Sequence, residues 1–262
     1  TLSRSSAASD VYKRQEIQIA HNSKQMAEQA LNAAVKELRR LEAMFSLYNP
    51  TSLVSQLNQN GFIENPPTDF LSLLSLAQSL STATQGGFDV TVQPLWQGKS
   101  KTPFTGYKHL HIGADRISFT KKHMAITLNG IAQGYITDRL TEVLQSAGLD
   151  HVLVNAGEIR ALGEPSPNRA WQVALEGQGQ PHESLKNQAL AVSSAYTPMI
   201  GDTRAHLFDT RTGKAVSHFK SVTVKAPNAT LADALSTGLS VLHEEEWAQV
   251  FSNLDGLSLA VT

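Results

Sequence analysis

Residues 125–163 read AITLNGIAQGYITDRLTEVLQSAGLDHVLVNAGEIRALG, and this stretch limits the possible folds more than any other. Residues 125–128 are short and apolar, which predicts a buried strand. Asn129-Gly130 then breaks the pattern. An amphipathic helix is expected next, with Ile131, Tyr135, Leu140, Val143, Leu144 and Ala147 on its apolar face. Gly148 falls just past the last turn, where a left-handed residue commonly ends a helix. Residues 151–155 predict a second strand running into a turn at Gly157. Strand, glycine turn, helix, glycine and strand in that order describe a βαβ-like unit.

The turn ahead of the helix carries chemical meaning. Unpaired N–H groups at a helix N-terminus, with the positive end of the dipole behind them, favour an anion such as phosphate. Gly130 and Gly134 lack a Cβ, so a ligand or another backbone can come close. The spacing matches neither G-x-G-x-x-G nor G-x-x-x-x-G-K-[ST]. The plainer alternative is a glycine pair that only packs a helix on a sheet.

A chain of 262 residues can bury roughly 70–75% of the surface its unfolded form exposes, so its core needs no disulfide or structural metal. One large domain and two intimately joined subdomains both fit that length. A net charge of −1 with interspersed signs argues against a nucleic-acid partner or a membrane-adsorbing face. The absence of cysteine excludes thiol catalysis and thiolate metal sites. No apolar run approaches the ~18 residues of a membrane span.

Residues 1–15, TLSRSSAASDVYKRQ, are Ser-rich and aperiodic and resemble a translated linker or adapter. They are expected to lie outside one domain over residues 16–262. Residues 16–20 alternate like a strand. Ser23 is expected to cap a helix reaching Phe45, Ser52 a short helix ending at Gly61, and Thr68 a third that stops at Gly86-Gly87. Asp89 follows; it suits either a ligand's ribose or base, or a turn in which it bonds its own backbone. Residues 108–128 predict a strand meander turning at 113–115. His109 and His111 would then share a strand face, read either as a metal pair or as an ordinary solvated face. Residues 171–176 and 190–194 are expected strands, residues 177–181 a turn between them, and Glu244-Glu245-Glu246 a solvated helix face.

Two further stretches can carry chemistry. In SVTVKAPNATLADALSTGLSVL, residues 221–242, a strand leads through Pro227-Asn228 into a helix on which Asp233 and Thr237 lie one turn apart. Their oxygens could ligate one hard cation such as Mg²⁺. Against this, Thr230 and Asp233 have nearly the spacing of a capping box, which would make Asp233 structural. The polar side of that helix is Asp233, Ser236, Thr237 and Ser240, with none of the long charged residues a freely solvated face normally uses. In RAHLFDTRTGKAVSH, residues 204–218, His206 could act as a general base and Arg211 could neutralise phosphate. A packed His206 and a turn-stabilising Asp209 are the plainer alternatives.

Taken in order, SLYNPTSLVSQLN, GGFDVTVQPLW, LNGIAQGYITDRL, VLVNAGEIRALG, HLFDTRTG and ADALSTGLSVL resemble the ApbE-type flavin transferases, the FAD:protein FMN transferases, over about residues 16–242. The resemblance implies an α+β, T-fold-like architecture of two joined subdomains with a flavin cleft between them. It implies FAD as substrate, Mg²⁺ as cofactor, and transfer of FMN to a threonine hydroxyl of an acceptor protein of the redox-complex subunit type, with release of AMP. It further implies a periplasmic or cell-envelope location, with any membrane association made through an N-terminal anchor. The implied metal position is Asp233, Thr237 and the Gly130 carbonyl. Tyr48 and Gly87-Phe88-Asp89 match flavin-contacting positions, Thr127, Gln133 and Arg211 fall near the ligand, and His206 matches the histidine beside the scissile phosphate.

Thr127 stands where the family commonly has Asp, and Gln133 where it has Lys, so a negative and a positive charge are missing near the ligand. Ser194-Ala195 replaces Ser-Gly, Thr210 replaces a turn proline, and a flavin-touching Met-Gly-Thr strand is not visible. Two other readings follow: an FAD pyrophosphatase yielding FMN and AMP, and an FAD-binding protein without turnover.

Overall fold

The computed structural model describes residues 2–6, 15–98, 104–174, 182–194, 207–252, 254 and 257–261, with backbone alone for 2–6, 182 and 260. Strands β1 (Leu2–Ser6) and β2 (Gln15–Ile19) lead into helices α1 (Lys24–Phe45) and α2 (Leu53–Asn60). Next come β3 (Phe62–Glu64), α3 (Thr68–Ala83), α4 (Gln93–Trp96), β4 (Leu110–Ile112) and β5 (Arg116–Phe119). Helix α5 (Ala132–Ser146) precedes β6 (Val152–Asn155), β7 (Ile159–Leu162), β8 (Trp171–Ala174), β9 (His182–Leu185) and β10 (Gln188–Ser194). The hairpin β11 (Leu207–Asp209) and β12 (Lys214–Val216) is followed by β13 (Ser221–Ala226), α6 (Ala229–Val241), α7 (Glu244–Phe251) and β14 (Ser258–Val261).

The fold is α+β. Its main sheet has seven strands in the order β1-β2-β6-β7-β10-β13-β14, and every neighbouring pair is antiparallel. Both faces of its centre are covered, which is why Val152-Leu153-Val154 reads as an unbroken apolar run rather than an alternation. Val152 and Val154 join the core shared with α1 and α5. Leu153, Ala161 and Leu190 instead pack against Trp171, Val173 and Leu185 of the β8–β9 hairpin. Helix α6 lies on β10 and β13, burying Leu235 and Leu239 against Ala191, Val222 and Val224. A smaller sheet, β3-β5-β4, stands beside α2 and α3.

Local chemistry explains the helix ends. Ser23 Oγ accepts from Met26 N–H at 3.3 Å and Ser52 Oγ from Ser55 N–H at 3.0 Å, the expected caps. Gly61 and Gly148 end α2 and α5 at φ +79° and +82°. Thr68 begins α3 but does not cap it; Pro67 takes that place, since its fixed φ suits the entry and it gives no side-chain bond. No helix among the described residues is long and apolar enough to cross a membrane.

Several expectations need correction. Residues 125–128 are buried but form no strand. Their backbone is satisfied by a side chain: Asn58 Oδ1 accepts from Ile126 N–H at 2.7 Å and Asn58 Nδ2 donates to Ile126 O at 2.9 Å. Thr127 N–H donates to Val90 O at 2.8 Å. Without that strand, and with only antiparallel pairs around β6, there is no βαβ unit. The meander also stops early, because β5 ends at Phe119. His109 lies in a 3-10 turn rather than on the strand of His111, and its ring contacts Thr120 Oγ1 at 3.3 Å. No group of three or more His, Asp or Glu side chains placed to hold a metal ion occurs among the described residues. Leu2–Ser6, within the tail set aside on composition, pairs with β2; an edge strand needs only backbone groups, which composition does not reveal. The expected turn at 177–181 lies outside the described residues.

Candidate functional site

Helices α5 and α6 cross antiparallel, turn against turn, and the glycines set how closely. A Cβ on Gly134 would stand 2.3 Å from Ala229 O, and one on Gly130 would stand 2.8 Å from Thr237 Oγ1. Real Cβ atoms do not approach so near, so these glycines permit a helix–helix crossing rather than helix-on-sheet packing. The crossing satisfies both helix starts. Ile131, at the N-cap of α5, offers no oxygen, and Asp233 Oδ2 of α6 accepts Gly134 N–H at 2.9 Å in its place. In return, Asp138 of α5 accepts Ala229 N–H at 2.9 Å and Thr230 N–H at 2.8 Å at the start of α6. Arg160 holds the same Asp138 carboxylate at 2.6 Å. Each helix therefore caps the other.

This arrangement decides the capping-box question. Asn228 is the N-cap of α6, its side chain accepting Leu231 N–H at 2.8 Å. Thr230 Oγ1 is taken by Asp138 at 2.5 Å. Asp233 is thus not an N3 residue of its own helix. It is 4% exposed and meets α5 at Gly134, while Thr237, one turn further along α6, lies against the bend at Gly130.

The oxygens that Asp233, Thr237 and Gly130 carry are a carboxylate, a hydroxyl and a backbone carbonyl, all hard donors. That donor set fits Mg²⁺, which takes few protein oxygens and fills its shell with water or phosphate. The close approach of Gly130 to Thr237 leaves no room for a side chain between them.

Beside the bend lies a cleft of 410 Å³ lined by Tyr48, Ser55, Asn58, Gln93, Trp96 and Asn129, among others. Asn129 links it directly to Gly130. Small-molecule sites commonly measure about 300–1,000 Å³. Tyr48 is 87% exposed and Trp96 43%, so the cleft presents aromatic surface to solvent of the kind that packs against a planar ligand. Two smaller cavities, 30 Å³ beside α1 and 190 Å³ over β2, β6 and β8, lie away from the crossing.

The other candidate residues are placed differently. Gly87 packs where a Cβ would meet Leu242 Cγ at 2.6 Å, and the Phe88 ring belongs to the main core. Asp89 is buried and accepts from Thr91 N–H at 2.8 Å, Thr91 Oγ1 at 2.7 Å, Tyr107 N–H at 2.9 Å and Thr210 Oγ1 at 3.1 Å. Burial pushes its carboxyl above the ordinary value, against the pull of those donors. Thr127 is buried, and its hydroxyl accepts Asn129 N–H at 3.2 Å. Gln133 is exposed, its stem lying over Gly157. Arg211 forks onto Asp209 at 2.9 and 3.0 Å and reaches Glu246 at 2.7 Å, so Glu246 is paired rather than simply solvated. His206 lies outside the described residues.

Sequence reasoning did not single out Asp138, Asn58 or Trp96. Asp138 carried a signal: it follows Gly134 by one helical turn, on the face that meets α6. Asn58 carried none, because its partner is backbone in a distant segment.

Residues 13–261 match the family model described as the ApbE family. A Haemophilus influenzae protein named FAD:protein FMN transferase is 32% identical over 250 residues, covering 81% of this chain and 72% of that protein. A Vibrio cholerae protein of the same name is 28% identical, covering 79% and 72%. Among solved structures, the Thermotoga maritima ApbE protein is 27% identical with a TM-score of 0.78, covering 95% of this chain and 89% of the other. Pseudomonas stutzeri flavinyl transferase ApbE in its apo form is 23% identical and supports the fold, with a TM-score of 0.83 over 100% and 94%. On the breadth of these matches, the chain belongs to the ApbE family.

Proposed function

We propose that this protein is an FAD:protein FMN transferase that moves FMN from FAD to a threonine hydroxyl of an acceptor protein. The observation that carries this reading is the α5–α6 crossing, which seats Asp233 against the Gly134 amide and Thr237 against Gly130, the residue next to Asn129 of the Tyr48 cleft. Support for flavin chemistry comes from relatives named for it.

Tyr48 and Trp96 would hold the planar ring system by stacking, and the polar floor of the cleft would orient its edge. Asp233, Thr237 and the Gly130 carbonyl would hold Mg²⁺, which when bound offsets charge on the diphosphate. In the transfer, the acceptor Oγ forms a bond to the FMN phosphorus as the bridging P–O bond breaks. AMP departs with the bridging oxygen, and the hydroxyl proton passes to a base, a role we assign to His206 from its sequence motif.

The test is incubation with FAD, Mg²⁺ and candidate acceptor subunits, reading covalent flavin fluorescence on the acceptor and AMP in solution. The expected result is both products. AMP without labelled acceptor in the absence of any suitable threonine would identify an FAD pyrophosphatase. FAD bound with no AMP under any condition would identify a binding protein.

A further inference from the structure

Hydroxyls inside the helices of this protein usually bond back to the carbonyl four residues earlier. Ser81, Thr137 and Thr141 do so at 2.8 Å, and Ser240 at 2.7 Å. Thr237 breaks that habit. Its Oγ1 instead meets Ser193 Oγ of β10 at 3.2 Å. Ser193 Oγ also meets Ser236 Oγ at 2.8 Å, and Ser236 Oγ lies 3.0 Å from Asp233 O.

One proton arrangement satisfies every contact in this chain. A carbonyl only accepts, so Ser236 can give its single proton to Asp233 O. Ser193 then donates to Ser236, and Thr237 donates to Ser193. In that arrangement the hydroxyl proton of Thr237 points towards β10, and its lone pairs are left for the side where the Gly130 backbone comes close.

We infer that Ser193 is a positioning residue for the cation site: by taking the proton of Thr237, it presents that hydroxyl as an acceptor only. The inference rests on the reading of Asp233, Thr237 and Gly130 as a cation position. A partner that fixes how a ligand group is turned commonly matters 10–100-fold to metal affinity. Without Ser193, the Thr237 hydroxyl can fall back on its own helix, bonding Asp233 O as its neighbours bond theirs. Its proton and lone pairs are then no longer sorted.

Titration with Mn²⁺ alone, counting the free ion by electron paramagnetic resonance, tests this without turnover. Ser193→Ala should weaken binding about tenfold, and Ser193→Thr, which keeps the hydroxyl, should stay within about twofold of the parent. Ser236→Ala, which leaves Ser193 and Thr237 in place but removes the proton sink, should weaken binding in the same direction and guards against a Ser193 variant that fails to fold. Thermal unfolding midpoints separate loss of fold from loss of ligand. If Asp233→Ala abolishes binding while Ser193→Ala keeps the parent's affinity, or Ser193→Thr does not restore it, the cation reading stands and Ser193 has no such role. If the parent takes up no Mn²⁺, or Asp233→Ala binds as the parent does, the cation reading falls and this inference falls with it.

Discussion

Asp233 serves two physical tasks that substitution can separate. Its Oδ2 holds the Gly134 amide at 2.9 Å, a helix cap supplied across the crossing, and its charge suits a hard cation. Asp233→Ala removes both and should cost about 1 kcal/mol of stability, the usual value of a lost cap. Asp233→Asn keeps an oxygen for the amide and loses the charge. It should unfold close to the parent in a urea series, yet show no Mg²⁺-dependent AMP release. If Asp233→Asn turns over FAD like the parent, the residue is a cap and nothing more. Gly134→Ala tests the crossing itself. Its new Cβ would press on the Ala229 carbonyl, a backbone atom that cannot step aside, so the loss should be roughly 1–3 kcal/mol, as for other overpacked contacts. Helical spacing in the sequence was enough to pair Asp233 with Thr237. It could not tell whether Thr230 or Asn228 capped α6, because both are capping residue types placed near the turn.

At the scale of elements, the segment between β5 and α5 shows where a sequence signal stops. Apolar residues at 125–128 correctly report burial, since Ile126 and Leu128 are nearly inaccessible. They say nothing of whether the backbone finds a strand or a side chain as its partner. Here the partner is Asn58, whose carboxamide mimics a neighbouring strand by both donating to and accepting from Ile126. Asn58→Ala leaves that buried N–H and C=O without it, a loss of roughly 1–3 kcal/mol, and should speed hydrogen exchange at the Ile126 amide. Because the segment runs straight into Asn129 and Gly130, the same variant should raise KM for FAD more than a comparably destabilising change in the β8–β9 hairpin. Equal effects would limit Asn58 to holding the core. Sheet order lay beyond sequence reading for a related reason: β2 pairs with β6 across more than half the chain, and local periodicity carries no address for so distant a neighbour.

Over the whole molecule, ion pairs tie separate layers together and set how it responds to acid. Arg40 lies 2.6 Å from Asp69 and 2.7 Å from Glu37, joining α1 to α3. Arg211 joins the β11–β12 hairpin to α7 through Glu246, while Thr210 of that hairpin bonds Asp89. The Arg40 hydrogen bond holds Glu37 below its ordinary 4.5, and the Arg211 hydrogen bond does the same for Glu246. Burial raises Asp69, but hydrogen bonds from Arg40 and Tyr135 outweigh it and leave the carboxyl below 3.8. Folded values below unfolded ones mean that these three carboxylates stabilise the fold above their ordinary values and lose that contribution as pH falls from there through their lowered folded values. Asp89 runs the other way. Its raised value favours the folded state below 3.8 and opposes it as pH rises through the folded value. Through Glu37, Glu246 and Asp69, with Asp89 pulling the other way, the denaturation midpoint should fall as the medium is acidified from neutrality to below 4.5, the ordinary value for Glu37 and Glu246. Glu246→Gln should flatten part of that acid limb, since glutamine keeps the reach to Arg211 without a proton to gain. A midpoint that stays level over the same range would mean that these surface pairs are too well solvated to govern stability, leaving the reciprocal helix caps and the two-faced core to hold the site.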